Sequence, residues 1–264
     1  MPRATSLPIV AGLIVAICAG PAGGERASLS FGEANVGALG SNKAAELSLP
    51  PGTGPFPAVV VLHGCNGVSP HTRAWARRLV SWGYAALIVD SFRPRGITNV
   101  CGRGMDLPPG VRARDALAGA AYLRTLPTID ATRIAAIGFS HGGWTALFLA
   151  PQTAGEQAGL PPWRAIVAFY PWCGPGVRPL ATDVLILIGD ADDWTPAARC
   201  VDLVAKYATA AAHRPVLKVY PGAKHSFDAS IPDRVFFGHR LGYDAPAAGD
   251  AIAMTRQFLD ERLR

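Results

Sequence analysis

Several stretches of this chain are apolar almost without a break: Ala58–Leu62, the run "YAALIVD" from Tyr84, "RIAAIGF" from Arg133, "RAIVAFYP" from Arg164 and "DVLILIGD" from Asp183. A strand with one face in water alternates polar and apolar side chains. These do not alternate, so both faces are expected to be covered. Between them lie helical patterns. "HTRAWARRLVSWG" places apolar residues at Ala74/Trp75, Leu79/Val80 and Trp82 and stops at Gly83, and "VRARDALAGAAYLRTL" stops before Pro127. Near the end come "PVLKVYPG" as a strand and a helix over roughly Ala247 to Leu263. Between Thr195 and Ala211 a further helix is expected, with Thr195 as N-cap and Pro196 in its first turn. Buried strands alternating with helices predict an α/β fold with a mostly parallel sheet flanked by helices. In such sheets the ligand site lies at the C-terminal ends of the strands.

With 264 residues, half of them apolar, and no internal repeat or linker composition, we read a single domain behind an N-terminal address. Arg3 begins a positive segment, Ile9 to Ala19 is an apolar run too short for a comfortable membrane span, and "GPAGG" supplies small residues for cleavage near Ala22. We therefore expect residues 1–22 to be a signal peptide, 23–264 to be the working domain, and the mature protein to be exported, with no membrane association of its own. Ile17 before Cys18 fits a lipoprotein signal poorly. The net charge of +6 comes mainly from scattered arginines (Arg73, Arg77, Arg78, Arg93, Arg95, Arg112, Arg114) with no clustered run or nucleic-acid motif, so no nucleic-acid partner is expected.

Export would leave Cys65, Cys101, Cys173 and Cys200 in an oxidising compartment. Four cysteines allow three pairings. Cys65–Cys101 and Cys173–Cys200 are preferred because each pair would join neighbouring loops of the sheet just described, and four buried free thiols are the alternative. No CxxC or Cys/His spacing suggests zinc, and no metal is expected.

The chemistry is expected at "AAIGFSHGGWTALFLA". Gly138-Phe139-Ser140-His141-Gly142 matches G-x-S-x-G between an expected strand and an expected helix, the context of a nucleophile elbow. Serine needs a base, and the base needs a carboxylate to orient it. His225, in "AKHSF" after the last strand, is the downstream histidine at the right sheet edge; His213 falls in a turn at the opposite edge and His239 in a loop. Three aspartates, Asp190, Asp192 and Asp193, follow "DVLILIG", and composition does not choose among them. Asp190 is placed to secure the turn, and Asp193 to favour the dipole of the helix beginning near Pro196. For the oxyanion two N–H donors are needed. We expect those of His141 and of Cys65, the latter in the loop His63-Gly64-Cys65-Asn66-Gly67, with His63 ordering that loop.

Taken together, "VVVLHGCNGV", "GFSHGG", "GDADDWTP" and "YPGAKHSF" resemble the dienelactone hydrolase family of the α/β-hydrolase fold. The resemblance implies about eight mainly parallel strands, no large cap domain, and hydrolysis of esters or lactones without a cofactor. Carried over by position, it makes Ser140 the nucleophile, Asp192 the acid and His225 the base. One departure stands out. Founding members use a cysteine nucleophile held by a glutamate after an early strand, whereas this chain has Ser140 and no carboxylate in "LHGCNG". That moves the expectation from dienelactone itself to a serine esterase of small soluble esters, a monomer or small homo-oligomer. Tyr170, Trp172 and Trp194 follow strand ends and are candidates for the substrate pocket or for packing beneath the disulfide loops. A prolyl-oligopeptidase-like peptidase shares the motif order but normally carries a propeller that this short chain lacks. A non-catalytic binding protein on the same scaffold is the third reading.

Overall fold

The computed structural model describes residues 26–30, 44–151, 159–175, 177, 180–207, 213 and 215–264; the expected signal peptide lies outside them. Strands β1 (Arg26–Ser30), β2 (Ala44–Ser48), β3 (Phe56–Leu62), β4 (Ala85–Asp90), β5 (Ile129–Phe139), β6 (Ile166–Phe169), β7 (Val184–Gly189) and β8 (Val216–Tyr220) form one sheet in the order β1-β2-β4-β3-β5-β6-β7-β8. The pairs β1/β2 and β2/β4 are antiparallel, and every pair from β4 to β8 is parallel. Helices α1 (Pro70–Ser81), α2 (Pro109–Thr125), α3 (His141–Leu149), α4 (Ala197–Tyr207) and α5 (Ala245–Leu263) flank the sheet.

The unbroken apolar runs are what allow this sheet. Ala58–Leu62, Ala85–Val89, Ile166–Phe169 and Val184–Ile188 are all buried, each residue at most 2% exposed. The β8 strand alternates exposed and half-buried residues, as an edge strand should. Register aligns the strand ends: Leu62 sits opposite Val89 and Gly138, Phe139 opposite Phe169, Phe169 opposite Leu187, and Gly189 opposite Tyr220. The loops after β3 to β8 therefore open along one edge.

Beneath that edge the side chains are aromatic. Trp75 of α1 packs on Phe139 and Phe169 at centroid separations of 5.5 and 5.0 Å, and Phe227 meets Phe169 and Tyr170 at 6.2 and 5.7 Å. Each such ring buried from water contributes roughly 1.5–3 kcal/mol. Ser69 and Thr72 close a capping box that begins α1, and the Asp244 carboxylate accepts from Ala247 N at 3.0 Å to begin α5. The expected cap at Thr195 is corrected. The α4 helix begins at Ala197, and the Thr195 hydroxyl is used elsewhere, as described below.

A hairpin was not expected from the sequence. β9 (Arg234–Phe236) and β10 (His239–Leu241) form it, which places His239 in a strand and not a loop. Its two turn residues, Phe237 and Gly238, both have positive φ (51° and 83°), as a two-residue type I′ turn requires. Among the described residues no helix is long and apolar enough to cross a membrane.

Candidate active site

Ser140 joins β5 directly to α3, with φ 54° and ψ −117°. This backbone is costly for a residue with a Cβ and is held by its surroundings. Ser140 N donates to Phe169 O at 3.0 Å, and Trp144 N donates to Ser140 O at 2.8 Å. The flanking glycines are required by contact. A Cβ on Gly138 would lie 2.1 Å from Gly142 O, and one on Gly142 would lie 2.2 Å from Leu62 O. No side chain fits at either, so the helix starts hard against the ends of β3 and β5 and projects its first residues over the sheet edge.

His225 follows β8, and Asp192 follows β7. Asp190 N donates to Tyr220 O and Ala191 N to Ala223 O, which ties the two loops together. His225 Nε2 lies 2.9 Å from Ser140 Oγ, and His225 Nδ1 lies 2.7 Å from Asp192 Oδ2. His225 and Asp192 are 1% and 3% exposed. Asp192 Oδ1 accepts from Trp194 N and Thr195 N at 2.9 and 2.8 Å, and Oδ2 accepts from the Thr195 hydroxyl at 2.8 Å. This donor set fixes the orientation of the carboxylate. With Nδ1–H directed to Asp192, Nε2 is free to accept from the Ser140 hydroxyl.

The neighbouring aspartates are engaged differently. Asp190 Oδ1 accepts from Gly222 N at 2.6 Å, securing the turn after β8. The expectation that Asp193 serves the helix dipole is corrected: it binds Arg240 N and Nε, both at 3.0 Å, and lies 3.5 Å from His239 Nδ1. It anchors the hairpin. His213 pairs with Asp183 at 2.7 Å, remote from Ser140 in the fold.

The loop after β3 lies against the serine, for a Cβ on Gly64 would be 3.8 Å from Ser140 Cβ. His63 orders this loop. Ser91 N donates to His63 Nε2 at 3.3 Å, so Nδ1 carries the proton and donates to Gly64 O at 2.8 Å. His141, first residue of α3, is likewise used at both nitrogens. Nε2–H donates to Gly104 O at 2.8 Å, and Nδ1 accepts from Arg112 Nη1 at 2.7 Å. Burial, reinforced by the Arg112 charge, holds His63 well below the usual histidine range and brings His141 down to about 4. Arg112 is itself fully buried, and sequence reasoning missed it.

A second unforeseen cluster centres on Asp228, three residues after His225. It accepts from Trp75 Nε1 and the Tyr170 hydroxyl, both at 2.7 Å, and lies 2.9 Å from His71 Nε2. Burial works to raise this carboxyl, but His71 and these hydrogen bonds outweigh it and hold it below its ordinary value. Tyr170, with φ 37°, thus uses its hydroxyl in this cluster while its ring lies 4.8 Å from His225. Trp194 lies 5.1 Å from His225 and is stacked on His239 at 4.7 Å, with Phe236 at 6.2 Å. Trp172 lies under Arg199 at 4.3 Å, beside Gly174 and the second disulfide.

Cys65 is bonded to Cys101, and Cys173 to Cys200. The first bridge pins the loop after β3 to the loop after β4, and the second pins the loop after β6 to α4. Among the described residues, no group of three or more His, Cys, Asp or Glu is arranged to hold a metal.

Comparison with known proteins agrees with this architecture. The chain is 27% identical over 245 residues to a protein of Synechocystis sp. named "Putative carboxymethylenebutenolidase", covering 83% of this chain and 91% of that one. It is 26% identical over 220 residues to a Bradyrhizobium protein named "Probable 2-oxo-3-(5-oxofuran-2-ylidene)propanoate lactonase", covering 75% and 84%. In fold it is similar to the crystal structure of a dienelactone hydrolase from Anabaena variabilis, with a TM-score of 0.67 and 20% identity, covering 91% of this chain and 99% of that one. Residues 44–263 match the family model described as "Dienelactone hydrolase family", which spans every parallel strand and each side chain around Ser140 discussed above; the chain belongs to that family and is a hydrolase of ester or lactone bonds.

Proposed function

We propose that the protein is an exported serine hydrolase of carboxylic esters or lactones, working through Ser140, His225 and Asp192 and an acyl-enzyme. The observation that carries this reading is the continuous hydrogen-bonded line from Ser140 Oγ through His225 Nε2 and Nδ1 to Asp192 Oδ2, at 2.9 and 2.7 Å. The strained φ of 54° at Ser140, kept at the mouth of the loops, supports it independently.

In this mechanism Ser140 Oγ attacks the substrate carbonyl carbon as its proton passes to His225 Nε2. The imidazolium that forms is stabilised by Asp192, whose remaining lone pairs are taken by Trp194 N, Thr195 N and the Thr195 hydroxyl. The negative charge on the former carbonyl oxygen is met by the N–H groups of Cys65 and His141. That of His141 belongs to the first turn of α3, where amides have no acceptor within the helix. Collapse expels the alcohol, which takes the proton from His225 Nε2. Water, deprotonated by the same nitrogen, then hydrolyses the acyl-serine and releases the acid. A lactone follows the same route, with its alcohol still tethered to the acyl chain. Trp194, Phe236 and Tyr170 give the histidine side of the site aromatic walls. Among the described residues no large insertion roofs the site, which favours small acyl groups.

Export is supported by the two disulfides and by the leader pattern of residues 1–22. Turnover of p-nitrophenyl esters of graded acyl length by wild type and Ser140→Ala tests the proposal. The variant is expected to lose at least three orders of magnitude of kcat for every ester that the wild type accepts. Near wild-type turnover by the variant would overturn it.

A further inference from the structure

Arg112 is 0% exposed, and a buried guanidinium is strongly unfavourable unless hydrogen bonds engage it. Its partners are not a random set. Nη2 donates to His63 O at 2.7 Å, and Nη1 donates to His141 Nδ1 at 2.7 Å. His63 lies two residues before Cys65, and His141 directly follows Ser140. One planar fork therefore joins the two segments whose N–H groups would receive the oxyanion.

From this we propose that Arg112 is a positioning residue that sets the spacing of the oxyanion donors at Cys65 and His141. The inference rests on the serine-hydrolase reading above.

Three observations make the tie specific. First, the two segments already touch elsewhere, since a Cβ on Gly142 would fall 2.5 Å from His63 O; the same carbonyl accepts from Arg112, so the contact is fixed from both sides. Second, the fork needs a neutral His141 with Nδ1 unprotonated. The carbonyl of Gly104 selects that tautomer by accepting from Nε2–H. Third, the guanidinium is held in place by the Phe92 ring at 5.0 Å, which itself meets His63 edge-on at 4.5 Å. Burial works against the charge of Arg112 and lowers its pKa, Asp115 and Asp90 offset part of that through space, and Arg95 forms the two-pronged pair with Asp115 at 2.8 and 3.0 Å.

An oxyanion site works only when both donors lie about 2.7–3.1 Å from where the charge develops, and loss of one donor costs about 10²–10³ in kcat. A ground-state carbonyl makes weaker use of that geometry. A residue that spaces the donors should therefore act on kcat and spare KM, whereas a purely structural arginine should change only how much protein is folded.

The experiment compares wild type, Arg112→Lys and Arg112→Gln with p-nitrophenyl butyrate. Active sites are counted by end-point reaction with a fluorophosphonate, and inhibition by butaneboronic acid is measured in parallel. The expected result is kcat per titrated site lowered about 10²-fold or more in Arg112→Gln and less in Arg112→Lys, with KM within about threefold and boronic acid affinity falling alongside kcat. Unchanged kcat per titrated site, with loss confined to melting temperature or to the titratable fraction, would overturn the inference. Should neither variant yield folded protein, His141→Phe removes the Nδ1 acceptor while keeping the backbone N–H and the Arg112 bond to His63 O. It is expected to lose at least about tenfold in kcat at constant KM, and an unchanged kcat there counts against the inference. A wild type that neither hydrolyses the ester nor reacts with the fluorophosphonate refutes the parent reading instead.

Discussion

Asp193 binds Arg240 through two hydrogen bonds of 3.0 Å, one to the backbone N–H and one to Nε, and so fastens the β9–β10 hairpin to the loop after β7. Its neighbour Asp192 turns the other way, into the protein, and meets His225. Two adjacent carboxylates thus have separate tasks. Asp192→Asn keeps the volume but presents the wrong hydrogen-bonding partner to His225 Nδ1, and should lower kcat by about 10⁴. Asp193→Asn and Asp190→Asn should keep kcat within about tenfold of wild type, because their partners lie in the hairpin and the turn after β8. Steady-state ester kinetics of the three variants decides this, and a loss in Asp193→Asn equal to that in Asp192→Asn would count against it.

Gly142→Ala should be among the most damaging single-methyl changes in the protein. The added carbon would meet Leu62 O at 2.2 Å and His63 O at 2.5 Å, both of them backbone atoms of a buried strand end that does not yield readily. We expect a loss of more than about 2 kcal/mol in stability, read by urea unfolding, together with lost ester turnover. Gly249→Ala, on α5 with open space around its would-be Cβ, is the control and should unfold at or above the wild-type midpoint.

The bridges Cys65–Cys101 and Cys173–Cys200 span 36 and 27 residues. Loops of that size are worth about 3–4 kcal/mol each in the chain-entropy account. Replacing either pair by serine should lower the unfolding midpoint markedly. The first pair should also lower activity, since it anchors the loop after β3 beside Ser140, whereas the second lies at α4. Equal activity loss from both pairs would contradict the assignment of the first bridge to the site.

Acid should destabilise the protein sooner than its carboxylates alone would require. His141 is held down to about 4 and His63 well below its ordinary value, by burial and by Arg112. In the unfolded chain each takes a proton near 6.5. Below that pH the unfolded state therefore binds more protons than the folded one, so this stability is complete above about 6.5 and is lost progressively as pH falls toward 4. His141 alone accounts for about 2 kcal/mol between pH 7.5 and 5. Urea unfolding across that range should show the decline, and His141→Gln should flatten it. A midpoint independent of pH over this interval would refute the account of both histidines.

Much of this was legible in the chain because the governing patterns are local. Strands β3 to β7 are apolar on both faces and announce a buried parallel sheet, and the glycines around Ser140 mark a backbone crossing that no side chain permits. The hairpin was not legible. Its strands are three residues each, too short for a period, and Phe237 holds a positive φ that nothing in "VFFGHR" signals beyond the glycine after it. Nor was Arg112. It stands two residues from Arg114 in one helix, and the first is fully buried while the second is exposed. Only the three-dimensional approach of α2 to the ends of β3 and β5 separates them. Asp228 was hidden for a similar reason, as its donors Trp75 and Tyr170 come from 153 and 58 residues away.

The central claim is that Ser140 is the nucleophile. Its most direct test is mass-spectrometric mapping of the protein after reaction with a fluorophosphonate. The account predicts one adduct per chain, on the Ser140 hydroxyl, formed in step with the loss of ester hydrolysis. An enzyme that stays unlabelled while hydrolysing esters, or that carries its adduct on another residue as activity is lost, would contradict it.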